Sequence, residues 1–195
     1  MLPIIAVIAV VLALAIAAVL ILAATKPDVF KVQREIDIKA PPQEIFPLIN
    51  DFHRWRSWSP YENKDPSMQR HFSGAASGMG AVYGWEGDKN VGSGRMEIID
   101  VAAPTRIVIK LDFMTPFEAH NTAEFTMLPQ GDTTHVTWLM QGPTPFFGKI
   151  MHVFINIDNM VGKDFAIGLA NLKRLTENPT LDIMSSQDAV LMAPR

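Results

Sequence analysis

An α+β fold is predicted by three features of this chain: an apolar N-terminal run, a series of short alternating segments, and a long amphipathic C-terminal stretch. Residues 2–24 (LPIIAVIAVVLALAIAAVLILAA) hold no charged or strongly polar side chain. Between residues 30 and 141, apolar and polar residues alternate in runs broken by Gly and Pro, the signature of an antiparallel sheet of about seven strands. From 146 to 176 the apolar residues recur three or four apart, which is helical spacing. A curved sheet covering one long helix leaves space between the two layers, so a pocket is expected.

The apolar run is long enough to span a bilayer, whose core of about 30 Å needs roughly 20 helical residues. A cleaved secretory signal would carry a basic start and a shorter apolar core of roughly 7–15 residues. Here no Lys or Arg precedes Lys26, although Ala23 and Ala24 resemble a cleavage site. A buried core helix is disfavoured because apolar side chains surround the whole circumference. Residues 1–25 are therefore taken as a single-pass membrane anchor. Lys26, Lys31 and Arg34 follow it, which favours a cytoplasmic domain; with Asp28 and Glu35 among them, the side stays open.

The segment 30–39 alternates as a strand with Phe30, Val32, Ile36 and Ile38 on one face. Arg34 shares that face and must find a partner or reach the rim. Ala40-Pro41-Pro42 closes the strand and opens a short helix, because Pro is tolerated in a first turn. Ile45, Phe46, Leu48, Ile49 and Phe52 form its stripe. A polar connection with Trp55, Trp58 and Tyr61 follows. Strands are expected at 68–73, 80–87, 92–101, 105–113, 118–128 and 133–141, with a turn at Pro129–Asp132. The helix 146–176 carries Phe147, Ile150, Phe154, Ile157, Val161, Phe165, Leu169 and Leu172 in one stripe. The domain thus spans 30–176, and 177–195 is expected to be a flexible tail.

Composition narrows the chemistry. The chain lacks Cys, which excludes disulfides, thiolate catalysis and Cys-ligated metals. Every charged residue lies beyond residue 25, and the net charge of −3 shows no basic arm for nucleic acid. Eleven Met and eleven Phe suit either an adaptable apolar pocket or ordinary core filling.

His120 and Glu124, with His135, look like an acid/base group, but alternation puts them on the wet face. Inward positions are Asn121, Ala123, Phe125 and Met127 on one strand and Val136, Trp138 and Met140 on the next. Asn121 is a polar exception there, either a satisfied structural amide or a ligand contact. Tyr83, Trp85, Phe113 and Trp138 are large rings facing the helix, as core or as cavity wall. The glycines at 78, 80, 84, 92 and 94 precede no helix, so they read as turns and bulges rather than a phosphate loop.

Four motifs carry a family resemblance: RxIxIxAPPxxIFxLINDFxxWxxWSP from Arg34 to Pro60, GxASGxGAxYxWEGxxxVGxGxMxI from Gly74 to Ile98, NTAxFTxxP from Asn121 to Pro129, and MxxFxNxDxMxGKDFxxGLANLKxL from Met151 to Leu175. Together they resemble the SRPBCC superfamily of START-like, helix-grip proteins, in the polyketide cyclase/dehydrase and lipid transport branch. Members with one N-terminal span are the most similar. The resemblance implies seven strands gripping the long helix around an apolar cavity. It also implies that the loop bearing Trp55 and Trp58 closes one cavity end, although loop Trp residues near a bilayer also anchor in its interface. Asp158 and Asp164 match family positions; Asp158 lies near the apolar stripe, and Lys163-Asp164 marks its exposed edge.

The expected ligand contacts are Trp58, Tyr83, Trp85, Phe113, Asn121, Phe125, Trp138, Met140, Phe154 and Asp158. No catalytic residue, metal site or cofactor is assigned. The expected function is a membrane-anchored binder of a hydrophobic small molecule or lipid. A cyclase/dehydratase-like enzyme, which needs a perturbed acid or base in the pocket, and a protein-interaction module are the alternatives.

Overall fold

The computed structural model describes residues 2–178 and shows one seven-stranded antiparallel sheet with four α-helices. Helix α1, Leu2–Ala24, is long and apolar enough to cross a membrane; the same length and composition suit a signal sequence. A link of four residues, Thr25 to Asp28, leads to β1, Val29–Ile38. Helix α2, Pro42–Asn50, has Pro42 in its first turn and buries Ile45 and Ile49. Two 3-10 turns, Phe52–Ser57 and Pro60–Asn63, make up most of the connection to the sheet.

The remaining strands form a meander: β2 Gln69–Gly74, β3 Ala81–Glu86, β4 Ser93–Ala102, β5 Arg106–Thr115, β6 Ala119–Gln130 and β7 Thr133–Pro143. Their spatial order is β1-β7-β6-β5-β4-β3-β2, so the first and last strands pair while β1 and β2 form the edges. Burial alternates along β6 and β7 as the pattern predicted, with Asn121, Ala123, Phe125, Met127, Val136, Trp138 and Met140 inside. His120, Glu124 and His135 lie on the opposite face, where His120 bonds Asp112 at 2.8 Å and His135 bonds Asp37 at 2.7 Å.

The long helix is a correction. Instead of one helix over 146–176 there are two, α3 Phe146–Phe154 and α4 Ile157–Glu177. The side chain of Asn156 accepts from the Asn159 amide at 2.9 Å and caps the start of α4. Because apolar spacing runs in phase across the break, periodicity alone hid it. The halves have different surroundings. Helix α4 buries Phe165, Leu169, Leu172 and Leu175 against the sheet, whereas α3 buries no residue fully and packs on α1.

Close approach of α4 depends on two glycines. A Cβ on Gly162 would fall on the Arg34 guanidinium, and one on Gly168 would lie 2.8 Å from the Trp138 ring. Arg34, the charge on the apolar face of β1, resolves by pairing with Asp158 through both carboxylate oxygens at 2.9 and 3.0 Å. The expected tail lies outside the described residues from 179 onward. Glu177 still belongs to α4, and its Oε1 accepts from the Lys39 amide at 2.8 Å.

Candidate functional site

Cross-strand register builds one wall of an apolar cavity. Tyr83 pairs with Met96, and Met96 pairs with Leu111, placing three side chains in a row across β3, β4 and β5. In the next row Trp85 faces Gly94, and a Cβ there would strike the indole, so the missing side chain makes room for the ring. Phe113 meets the Trp85 ring edge-on at 5.7 Å. Ala123, Trp138 and Met140 extend this wall onto β6 and β7.

The opposite wall is chiefly the connection between α2 and β2, which contributes Trp55, Ser59, Tyr61 and Glu62; helix α4 adds Phe165. The enclosed volume is about 100 Å³. This is less than the roughly 150 Å³ that suffices for benzene in an apolar cavity. Three wall residues, Met68, Met96 and Met140, are flexible thioethers that can change rotamer to enlarge it.

Two tryptophans hold the lid segment in place. The indole N–H of Trp55 donates to the Ile49 carbonyl and that of Trp58 to the Leu48 carbonyl, both at 2.9 Å. These carbonyls belong to the last turn of α2, where no intrahelical donor is available. Trp58 also packs edge-on to Trp138, which stacks on Phe165 at 3.9 Å and on Phe125 at 4.8 Å. Both loop tryptophans are buried, so the interfacial-anchor reading does not apply to them.

One pole of the cavity is charged. Glu62 is 7 % exposed, accepts from Arg70 Nε at 2.6 Å, and accepts from the Tyr83 hydroxyl at 2.7 Å. Arg70 also donates to the Met68 carbonyl at 2.6 Å. Burial, then the bond to Glu62, pushes the Tyr83 phenol well above its ordinary value, so it stays protonated as a donor. The bond to Glu62 raises Arg70 as well. Beside this group, burial and the nearby Asp164 push Tyr61 upward. Asp164 pairs with Lys64 at 2.6 Å; its side chain is 15 % exposed, which corrects its expected place on the exposed edge of α4.

The ten expected contacts divide. Tyr83, Trp85, Phe113, Trp138 and Met140 line the cavity. Trp58 and Phe125 are fully buried in the aromatic core behind it. Asn121 is buried against Gly142, and its Oδ1 has no partner among the described residues. Phe154 and Asp158 border a separate groove beside β1. Glu62 sits in a 3-10 turn, where strand alternation gives no signal. Arg70 offered the clue, since it shares strand parity with the buried Met68 and needs a nearby acid. Among the described residues, no three His or carboxylate groups converge as a metal site requires.

One polar atom in this region stands apart. Trp138 Nε1 is buried and without a hydrogen-bond partner among the described residues, although the ring lines the cavity. Such an orphan donor is uncommon in a native interior.

Residues 29–177 match the family described as polyketide cyclase / dehydrase and lipid transport. No curated protein matches the sequence. Among solved structures, the Aha1 dimer from Colwellia psychrerythraea is similar at TM-score 0.57 and 14 % identity, covering 77 % of this chain and 98 % of that one. The di-domain ARO/CYC BexL from the BE-7585A biosynthetic pathway gives TM-score 0.58 at 12 % identity, over 80 % of this chain and 52 % of that one. A protein from Thermobifida fusca gives TM-score 0.56 at 18 % identity, over 74 % of this chain and 91 % of that one. At these identities the likeness establishes the fold.

Proposed function

The chain belongs to the polyketide cyclase / dehydrase and lipid transport family, and from that premise we propose that it binds a compact hydrophobic molecule at a membrane surface. The observation that carries this reading is the cavity itself: apolar walls with one polar pole. An apolar body would leave water for the rings of Trp85, Phe113 and Trp138. A single oxygen on the guest would face the Tyr83–Glu62 pole. The size favours a ring or a short branched chain, or the end of a longer lipid tail, over a whole diacyl lipid. Tyr61, Val91 and Phe113 are partly exposed lining residues and form the rim. With α1 in a bilayer, the domain draws its guest from a source rich in apolar metabolites.

The test is native mass spectrometry of a fragment covering residues 27–178, followed by organic extraction of the bound species. The aromatic and aliphatic core lies within that fragment apart from Ala23. We expect a discrete small-molecule adduct that disappears in Ala123→Phe, which fills the cavity. An empty wild-type fragment whose tryptophan fluorescence ignores added aromatic and isoprenoid alcohols would sink the proposal.

A second reading rests on Glu62 and Tyr83. A buried carboxylate 2.7 Å from a protonated phenol, on a cavity wall, is the arrangement that proton transfer to a bound substrate requires. In a cyclase- or dehydratase-like step Glu62 would take a proton while Tyr83 donates to the developing oxyanion. Glu62 would first have to loosen its bonds to Arg70 and to the Tyr83 hydroxyl, whose single O–H would then turn to the oxyanion. Turnover of a polyketide-like substrate that is lost in Glu62→Gln while binding persists would favour this reading over simple binding.

A further inference from the structure

Helix α3 packs along the last two turns of α1. Ala23 is fully buried there and Leu20 is 41 % exposed, whereas Ile21 on the other side is 66 % exposed. Ile16, Val19, Leu20 and Ala23 fall at i, i+3, i+4 and i+7 on one stripe, of which Ala23 is buried and Val19 half-buried while Ile16 and Leu20 stay exposed. Helix α3 turns apolar side chains outward as well: Phe146, Phe147 and Phe154 are 52, 62 and 69 % exposed. Phe117, in the turn between β5 and β6, reaches the Phe147 ring at 6.4 Å and is itself exposed. Among the described residues, none covers this cluster.

The position of these rings decides what does cover them. The link between α1 and β1 has four residues, so the domain cannot move away from the end of the span. Two cations, Lys26 and Lys31, sit at that junction and border a groove of about 630 Å³ with His152, Phe154 and Ile155. Cations over apolar rings match the chemistry of a lipid headgroup above its acyl chains.

We propose that α3 is an in-plane membrane helix, embedded in the bilayer interface beside the exit of α1, with Phe147, Phe154 and Phe117 inserted among the lipids. This rests on the reading of α1 as a membrane anchor. The lipid surface, rather than a second copy or another protein, is the occupant, because α3 lies against the very turns of α1 that enter the bilayer.

The absence of cysteine allows a direct test on the full chain. Single variants Leu12→Cys, Phe147→Cys, Phe154→Cys and Leu128→Cys are spin-labelled and reconstituted in phosphatidylcholine vesicles with a minor share of phosphatidylglycerol. Accessibility to oxygen is compared with accessibility to a water-soluble nickel chelate. The expected result is an oxygen-to-nickel ratio several-fold higher at 147 and 154 than at 128, and highest at 12. Ratios at 147 and 154 equal to that at 128, with 12 still lipid-exposed, would overturn the in-plane helix and leave the anchor standing. Spin–spin broadening at 147 with a water-like ratio would assign the face to a second copy instead, which also overturns it. A water-like ratio at 12 would remove the anchor and the proposal together.

Discussion

At the level of single residues, the Glu62–Arg70–Tyr83 group is the most consequential finding. Removing one member of a buried ion pair strands the other, which costs about 3–5 kcal/mol. Arg70→Met is therefore expected to lower the urea midpoint of the 27–178 fragment by that equivalent, whereas Tyr83→Phe costs about 1 kcal/mol for one hydrogen bond. The double variant Arg70→Met/Glu62→Leu should recover most of the loss; simple additivity of the two single effects would contradict a coupled pair. On the solvated face, the hydrogen bond that His135 donates to Asp37, helped by Glu35, raises His135 above its ordinary value. A raised histidine stabilises the fold below the unfolded value near 6.5, and that contribution fades as pH climbs through the folded value. His135→Gln should thus melt below wild type at about pH 5.5 and converge with it by about pH 9. A gap that widened with pH would refute the assignment. Alternation placed His135 and Trp138 correctly because a strand has a period of two. It was silent on Glu62, whose position depends on a 3-10 turn that no periodicity marks.

Elements are held together by what their residues leave out as much as by what they supply. Gly168 admits the Trp138 ring, and Trp138 has no room to yield because it stacks on both Phe125 and Phe165. Alanine in a helix gains up to about 1 kcal/mol over glycine, but overpacking costs roughly 1–3 kcal/mol. Gly168→Ala is expected to lower the melting temperature by several degrees, and a rise would show that α4 can shift away from the sheet. The sheet and α4 were legible because their apolar faces are regular and one-sided. The break at Ile155–Asn156 was not, since the stripe of α3 continues that of α4 while facing another neighbour. Periodicity reports that a face is apolar; what that face touches is set by tertiary structure.

For the molecule as a whole, the fold was readable from motif density and element order, while the cavity's size and polar pole emerged only from packing. The positive residues after α1 favour a cytoplasmic domain, within the proposal that α1 spans a membrane. A cysteine placed at the exposed Lys163 should then resist a membrane-impermeant maleimide in right-side-out vesicles until they are permeabilised. Immediate labelling would put the domain outside. The four-residue link has a further consequence. Fully extended, it spans at most roughly 14 Å, since a chain advances about 3.3–3.6 Å per residue. A carrier that ferries cargo between two organelles or two membranes must leave one surface to reach the other. With α1 in a bilayer and a guest in the cavity, as proposed, a domain on so short a leash could not make that crossing, and its guest would arrive and depart along the same sheet of lipid. It would work as a relay, passing molecules to neighbours by lateral encounter.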